Sequence, residues 1–143
     1  MKVMKKWEGF RLSKDNIPEK IAVNDFRTLK AYQKSMDLAK EVYNIVKQLP
    51  DIEKYAMVNQ MIRACTSISS NVAEGLSTFY DKKRLVFISN AIESCGEMKC
   101  WYEHCLNLEY ISKEQFDKLD ADTTEIMRML LGYAKKLRAE IVS

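Results

Sequence analysis

Apolar residues recur at steps of three and four along four stretches of the chain, the spacing that gathers side chains onto one face of a helix. In residues 60–75, QMIRACTSISSNVAEG, that face is Met61 or Ile62, Cys65, Ile68 and Val72. Arg63, Ser67, Asn71 and Glu74 keep the same steps on an adjoining face, a polar row expected to be partly buried. Gly75 can enter the left-handed conformation that follows a helix, with Leu76 placed to fold back on the last turn. The pattern therefore predicts a helix from about Ile52 to Glu74.

Before it, Asp25 is a good N-cap for a first helix running to Leu49, where Pro50 stops it and Asp51 caps the next. Its expected core stripe is Leu29, Tyr32, Met36, Ala39, Tyr43, Val46 and Leu49, widened by Leu38, Val42 and Ile45. After Leu76, Ser77 or Thr78 can cap a third helix that continues to about Leu108. Its core positions are Leu85, Ile88, Ala91 or Ile92, Cys95, Met98, Tyr102 and Leu106. Asn90, Ser94 and Glu97 form a second polar row, with Glu97 the natural partner of Arg63. The fourth helix opens on Ser112-Lys113-Glu114-Gln115, a capping box, and buries Phe116, Leu119, Ile126, Met129 or Leu130, Tyr133 and Leu137. Such short connections make neighbouring helices antiparallel, so residues 25–143 are expected to form an all-α, up-down-up-down four-helix bundle. Residues 1–24 lack sustained periodicity and read as a basic N-terminal arm. Several helices are apolar over more than the usual third of their circumference, which predicts a homo-oligomer.

Composition agrees with this outline. A chain of 143 residues that is 47% hydrophobic has material for one core, and four glycines with two prolines favour long helices over many strands. No apolar run is long enough to span a membrane. The opening MKVMKKWEGFRLSKD is basic with no apolar stretch after it, unlike a secretory signal. Cys65, Cys95, Cys100 and Cys105 all fall in helical patterns without a Cys-x-x-Cys pair, which reads as four buried, reduced thiols in a cytoplasmic protein.

The candidate chemistry is sparse. The single histidine, His104, shares a helical face with Cys100 and Glu97, but two good donors and no second cluster make neither a zinc site nor a di-iron bundle. No glycine-rich phosphate loop and no paired nucleophile and base are visible, so no enzyme activity, metal or cofactor is expected. The polar rows, Arg63, Ser67, Asn71, Glu74, Ser94 and Glu97, read as a structural network between the second and third helices. The net charge of +3 is unevenly placed. Residues 1–25 hold six Lys and Arg against four acids and residues 26–49 hold five against two, so the first third carries all the excess. Lys5, Lys6 and Arg11 of the arm, with Arg27, Lys30, Lys34 and Lys40 of the first helix, are the candidate nucleic-acid-binding residues.

The run SISSNVAEG (67–75), with Gln60-Met61-Ile62-Arg63-Ala64 before it, resembles the signature of the bacterial four helix bundle protein family. That family includes proteins encoded in intervening sequences of large-subunit ribosomal RNA genes and the accessory variability determinant of diversity-generating retroelements. FRTLKAYQKSMDLAKEVY (26–43) is similar to the family's opening helix, and FISNAIESCGEM (87–98) to its third, with Ser94 and Glu97 at the matching polar positions. The longer arm and the cysteines at 65, 95 and 100 depart from the family pattern. The resemblance implies a protomer that assembles into a barrel-like homopentamer with no known catalytic activity. In the retroelement branch it implies a basic pentamer that binds a reverse transcriptase and contacts nucleic acid. The expectation is thus a non-enzymatic scaffold or accessory protein that binds RNA or DNA, a reverse transcriptase, or both. The competing expectation is a protein–protein interaction module with no affinity for nucleic acid.

Overall fold

The computed structural model describes residues 25–142. The expected arm, residues 1–24, lies outside the described residues. Four helices follow one another: α1 (Lys30–Val46), α2 (Met57–Ser77), α3 (Asp81–Asn107) and α4 (Lys113–Val142), with no strand among the described residues. Their alignment is antiparallel at each seam. Ser67 of α2 meets Ser94 of α3, Tyr102 of α3 meets Thr123 of α4, and Lys34 and Glu41 of α1 meet Glu125 and Lys118 of α4. The result is an up-down-up-down four-helix bundle.

Local chemistry explains the boundaries, and several differ from expectation. Asp25 does act as a cap, but for a 3-10 turn at Phe26–Thr28, its carboxylate accepting the Arg27 N–H at 3.0 Å. The α-helix itself begins at Lys30 and ends at Val46. A second 3-10 turn, Asp51–Glu53, takes the place of the expected start at Ile52, and Glu53 accepts the Met57 N–H at 3.3 Å to open α2. Gly75 does not end α2. It lies buried inside the helix with an ordinary negative φ, and the helix runs on to Ser77. A Cβ at position 75 would sit 3.1 Å from the Phe87 Cβ and 3.5 Å from the Arg84 carbonyl, so this glycine lets α2 and α3 approach closely.

The stop comes from α3 instead. Arg84 donates from Nε to the Gly75 carbonyl at 3.1 Å and from Nη2 to the Thr78 carbonyl at 2.6 Å, satisfying carbonyls that the end of α2 leaves open. At its far end α3 closes with the Tyr110 N–H on the Cys105 carbonyl and the Glu109 N–H on that of Leu106. Glu109 holds the left-handed position, φ 59°, where glycine is usual. The Ser112 capping box forms as expected: Ser112 Oγ accepts the Gln115 N–H at 3.1 Å, and Gln115 Oε1 accepts the Ser112 N–H at 2.9 Å.

The core is continuous through all four helices, with Met61, Cys65, Ile68 and Val72 facing Ile88, Cys95, Met98 and Tyr102 and closed by Leu119, Ile126 and Leu130. In α1 the buried stripe is Ala31, Ser35, Leu38, Val42 and Ile45, with Leu49 beyond the helix end. The stripe expected to lead is the outer one: Met36 is 48% exposed and Tyr43 44%. Ser35 fits inside because its hydroxyl donates to the Tyr32 carbonyl at 2.6 Å. Thr123 is likewise fully buried, donating to the Leu119 carbonyl and paired with the Tyr102 hydroxyl. Three of the four cysteines are buried as expected, but Cys100 is exposed. Burial pushes the Cys65 and Cys105 thiols up to about 11 and that of Cys95 up to about 12.

Candidate nucleic-acid interface

Lys5, Lys6 and Arg11 lie outside the described residues. The remaining expected contacts sit on α1 or just before it, and the structure uses half of them internally. Arg27 is held by Asp25 at 3.1 Å and over the Phe26 ring at 4.7 Å. Lys34 pairs across the bundle with Glu125 at 3.0 Å. Lys40 is exposed and lines a groove between α1 and α4 together with Lys34, Lys118 and the acids Asp37, Glu41, Asp122 and Glu125. Lys30 is exposed and enters no ion pair among the described residues. The face of α1 is therefore less basic than its lysine count suggests.

The polar rows divide in the same way. Ser67 and Ser94 meet at 2.5 Å between α2 and α3; the Ser94 hydroxyl donates to the Asn90 carbonyl and accepts from that of Ser67, which also has the Ala64 carbonyl of its own helix in reach at 2.8 Å. Asn71, half-buried, donates back to the Ser67 carbonyl at 2.7 Å. Arg63, Glu74 and Glu97 are exposed, and the expected buried pair between Arg63 and Glu97 does not form in the protomer. Glu97 instead accepts from the Trp101 indole at 3.4 Å. Charges on the shoulder of a helix reach water more cheaply than they bury, so only the hydroxyls and the amide stay inside.

Topology then makes a feature that no single stretch shows. The starts of α1 and α3, the end of α2 and the end of α4 share one end of the bundle. The half of the helices nearest that end, residues 25–37, 68–94 and 128–141, holds ten Lys and Arg against six Asp and Glu. The opposite half, residues 38–67 and 95–127, holds seven against eleven. The bundle is electrically bipolar, and the chain enters it from residues 1–24 at the basic end. Lys82 and Lys83 in DKKR, with Lys135, Lys136 and Arg138 in KKLR, form no ion pair among the described residues and are exposed. Arg84 of the same run is committed to the end of α2 and to Asp81 at 3.9 Å. Both dibasic runs are plain in the sequence; what was missing was the fold that brings them to one end.

The placement of these cations runs against the helix dipoles. Lys30 opens α1 with no acid in its first turn, and Lys82 and Lys83 share the first turn of α3 with the favourable Asp81, next to the positive ends, where acids are the stabilising choice. At the acidic end Glu114 in the first turn of α4 and Glu53 before α2 follow the stabilising rule.

Among the described residues, no cluster of three His, Cys, Asp or Glu is arranged to hold a metal, and no helix is long and apolar enough to cross a membrane. Comparison with protein families matches the model of the 23S rRNA-intervening sequence proteins over residues 27–132. Among solved structures, the chain is similar to a crystal structure of a protein of unknown function from the S23 ribosomal protein family of Bacteroides thetaiotaomicron. The two are 28% identical with a TM-score of 0.69, over 73% of this chain and 95% of that one. Comparison with curated proteins gives no match.

Proposed function

The chain belongs to the 23S rRNA-intervening sequence protein family, and from that premise we propose that it is a non-enzymatic, homo-oligomeric scaffold whose basic end binds RNA or DNA. In its sharpest form this is an accessory role in a diversity-generating retroelement, with a reverse transcriptase as the protein partner. The observation that carries the reading is the surplus of unpaired lysines at one end, set against the helix dipoles at Lys30, Lys82 and Lys83. An arrangement that costs stability at two helix starts is explained when an anionic partner supplies the missing charge. Parallel protomers in a ring, the family's expected pentamer, would repeat that end five-fold, and multivalency would turn weak phosphate contacts into useful affinity. Met36, Tyr43, Val86 and Leu131, exposed on the protomer, are the apolar surface available for such an assembly. The buried, protonated thiols suit a reducing, cytoplasmic setting.

A second reading, a protein–protein interaction module without nucleic-acid affinity, draws on the opposite end. Ile52 and Tyr55 stand 81% and 86% exposed in the α1–α2 connection, amid the acidic surplus. Anisotropy of labelled RNA, DNA and RNA–DNA hybrid across a salt series separates the two. Micromolar binding that weakens steeply with salt supports the first reading, and flat traces at low salt leave the second.

A further inference from the structure

Near the acidic end, two thioether sulfurs converge on one buried thiol in the core. Cys105 of α3 is fully buried, and its Sγ lies 3.6 Å from the Sδ of Met57 and 3.8 Å from that of Met61. Met57 and Met61 are one helical turn apart on α2, so both thioethers address the same point from one side. This thiol differs from that of Cys65, which donates to the Ile62 carbonyl at 3.3 Å. Among the described residues the Cys105 thiol has only the two thioethers as acceptors for its one proton, and both are weak.

We propose that Cys105, Met57 and Met61 form a binding site for a soft monovalent metal ion, copper(I), that replaces the thiol proton. The chemistry selects the ion. Thioethers and thiolates are the soft ligands that favour copper(I), whereas zinc and harder ions need imidazole, oxygen or several thiolates. Copper(I) on one thiolate and two thioethers carries no net charge, which lets it sit in an apolar core without the desolvation penalty of a bare ion. A metal–sulfur bond of about 2.3 Å in a three-coordinate plane needs sulfur atoms about 4 Å apart. The two Cys105 separations, 3.6 and 3.8 Å, require only a few tenths of an ångström of opening. Met57 is the first residue of α2 and 7% exposed, so it gives the ion an entry beside the α1–α2 connection. On binding, the Cys105 S–H bond breaks, a copper–sulfur bond forms and the proton leaves to solvent; copper stays in its +1 state.

The test uses the full chain under anaerobic, reducing conditions, titrated with copper(I) against a chromogenic copper(I) chelator and followed by copper X-ray absorption. The expected result is one copper(I) per protomer with three sulfur neighbours at about 2.3 Å. Cys105→Ser should abolish retention, and Met57→Leu or Met61→Leu, volume-conserving changes that keep the fold, should each weaken it at least tenfold. Cys100→Ser removes the exposed thiol that shares a face with His104 and should leave retention unchanged. Four results would overturn the site: full transfer of copper to the chelator, equal retention by the Cys105 variant, loss in the Cys100 variant, or a shell with fewer than three sulfurs. Because absorption is read on the unaltered chain, a variant that failed to fold would not leave the proposal untested.

Discussion

The acidic end of the bundle opens α4 on a capping box with Glu114 in its first turn, and opens α2 with the Glu53 carboxylate on the Met57 N–H. The basic end opens α1 on Lys30 with no acid in the first turn, and α3 with Lys82 and Lys83 after Asp81. The helix stops differ as well. At the acidic end α3 finishes in a backbone motif with Glu109 left-handed; at the basic end α2 finishes in the grip of the Arg84 side chain. Two cations at the acidic end are matched locally, Lys113 with Asp117 and Lys118 with Asp122 and Glu41, while Lys47, Lys54 and Arg63 enter no ion pair among the described residues. Each end has a lysine opening a helix, but Lys113 at the acidic end is paired with Asp117, whereas Lys30, Lys82 and Lys83 at the basic end enter no ion pair among the described residues. That difference, rather than the small net charge, is what points to a partner.

The two halves should respond differently to perturbation. The largest response is expected from alkali, because all four cysteines fall in the acidic half. Three of them, Cys65, Cys95 and Cys105, are held protonated by burial, up to about 11, 12 and 11 against 9.0 in the open chain. The native state keeps protons that the unfolded chain releases, so this stability is complete below pH 9 and is lost as pH rises towards 11. With each thiol contributing about 1.4 kcal/mol per pH unit, the loss approaches about 4 kcal/mol per unit for three, measurable as a falling urea midpoint. A midpoint that stays level from pH 8 to 10.5 would mean that the thiols reach water.

At the basic end, Gly75→Val should cost about 1–3 kcal/mol by overpacking against Phe87. Gly132→Ala, in α4 with nothing within 4 Å of its new methyl, should instead gain about 0.5–1 kcal/mol. Equal effects at the two sites would show that helix propensity, not the close approach, decides. Arg84→Ala should cost about 1–3 kcal/mol, since it leaves the Gly75 and Thr78 carbonyls without their charged donor. The smallest effects belong to exposed charges. Lys34→Ala should cost under about 1 kcal/mol by thermal unfolding, for loss of the half-exposed Glu125 pair. Arg63→Ala, at an exposed residue in no ion pair among the described residues, should be close to neutral for protomer stability.

Much of this fold was legible in the sequence, for reasons that also explain the misreadings. The Ser112–Gln115 box and the α2 and α3 core positions were clear because apolar bulk and buried position coincide there. In α1 two apolar stripes run side by side, and the one interrupted by Ser35 is inside. Bulk alone favours the stripe with Tyr32 and Tyr43. A serine that bonds its own helix is small and satisfied, so it packs where an aromatic ring does not. Gly75 was read as a terminus because a glycine after a polar row resembles one; its neighbour Phe87 lies on another helix and no local pattern announces it. The ion pairs at the candidate interface were equally hidden from the local sequence. Arg27 and Lys34 looked available until Asp25 and Glu125 were placed beside them. DKKR and KKLR lie far apart in the chain, and only the topology brings them to one end.

The most direct measurement compares matched charge removals at the two ends. One variant replaces Lys82, Lys83, Lys135 and Lys136 with glutamine; the other replaces Lys47, Lys54, Lys113 and Lys118, which lie in the acidic half or its connections. Net charge falls equally in both, so a difference in RNA binding reports position alone. Binding through the basic end predicts that the basic-end variant loses affinity and that its log–log salt slope falls by about three, near 0.7 per single-strand phosphate contact, while the acidic-end variant keeps both. Equal losses in the two variants, or none in either, would contradict it.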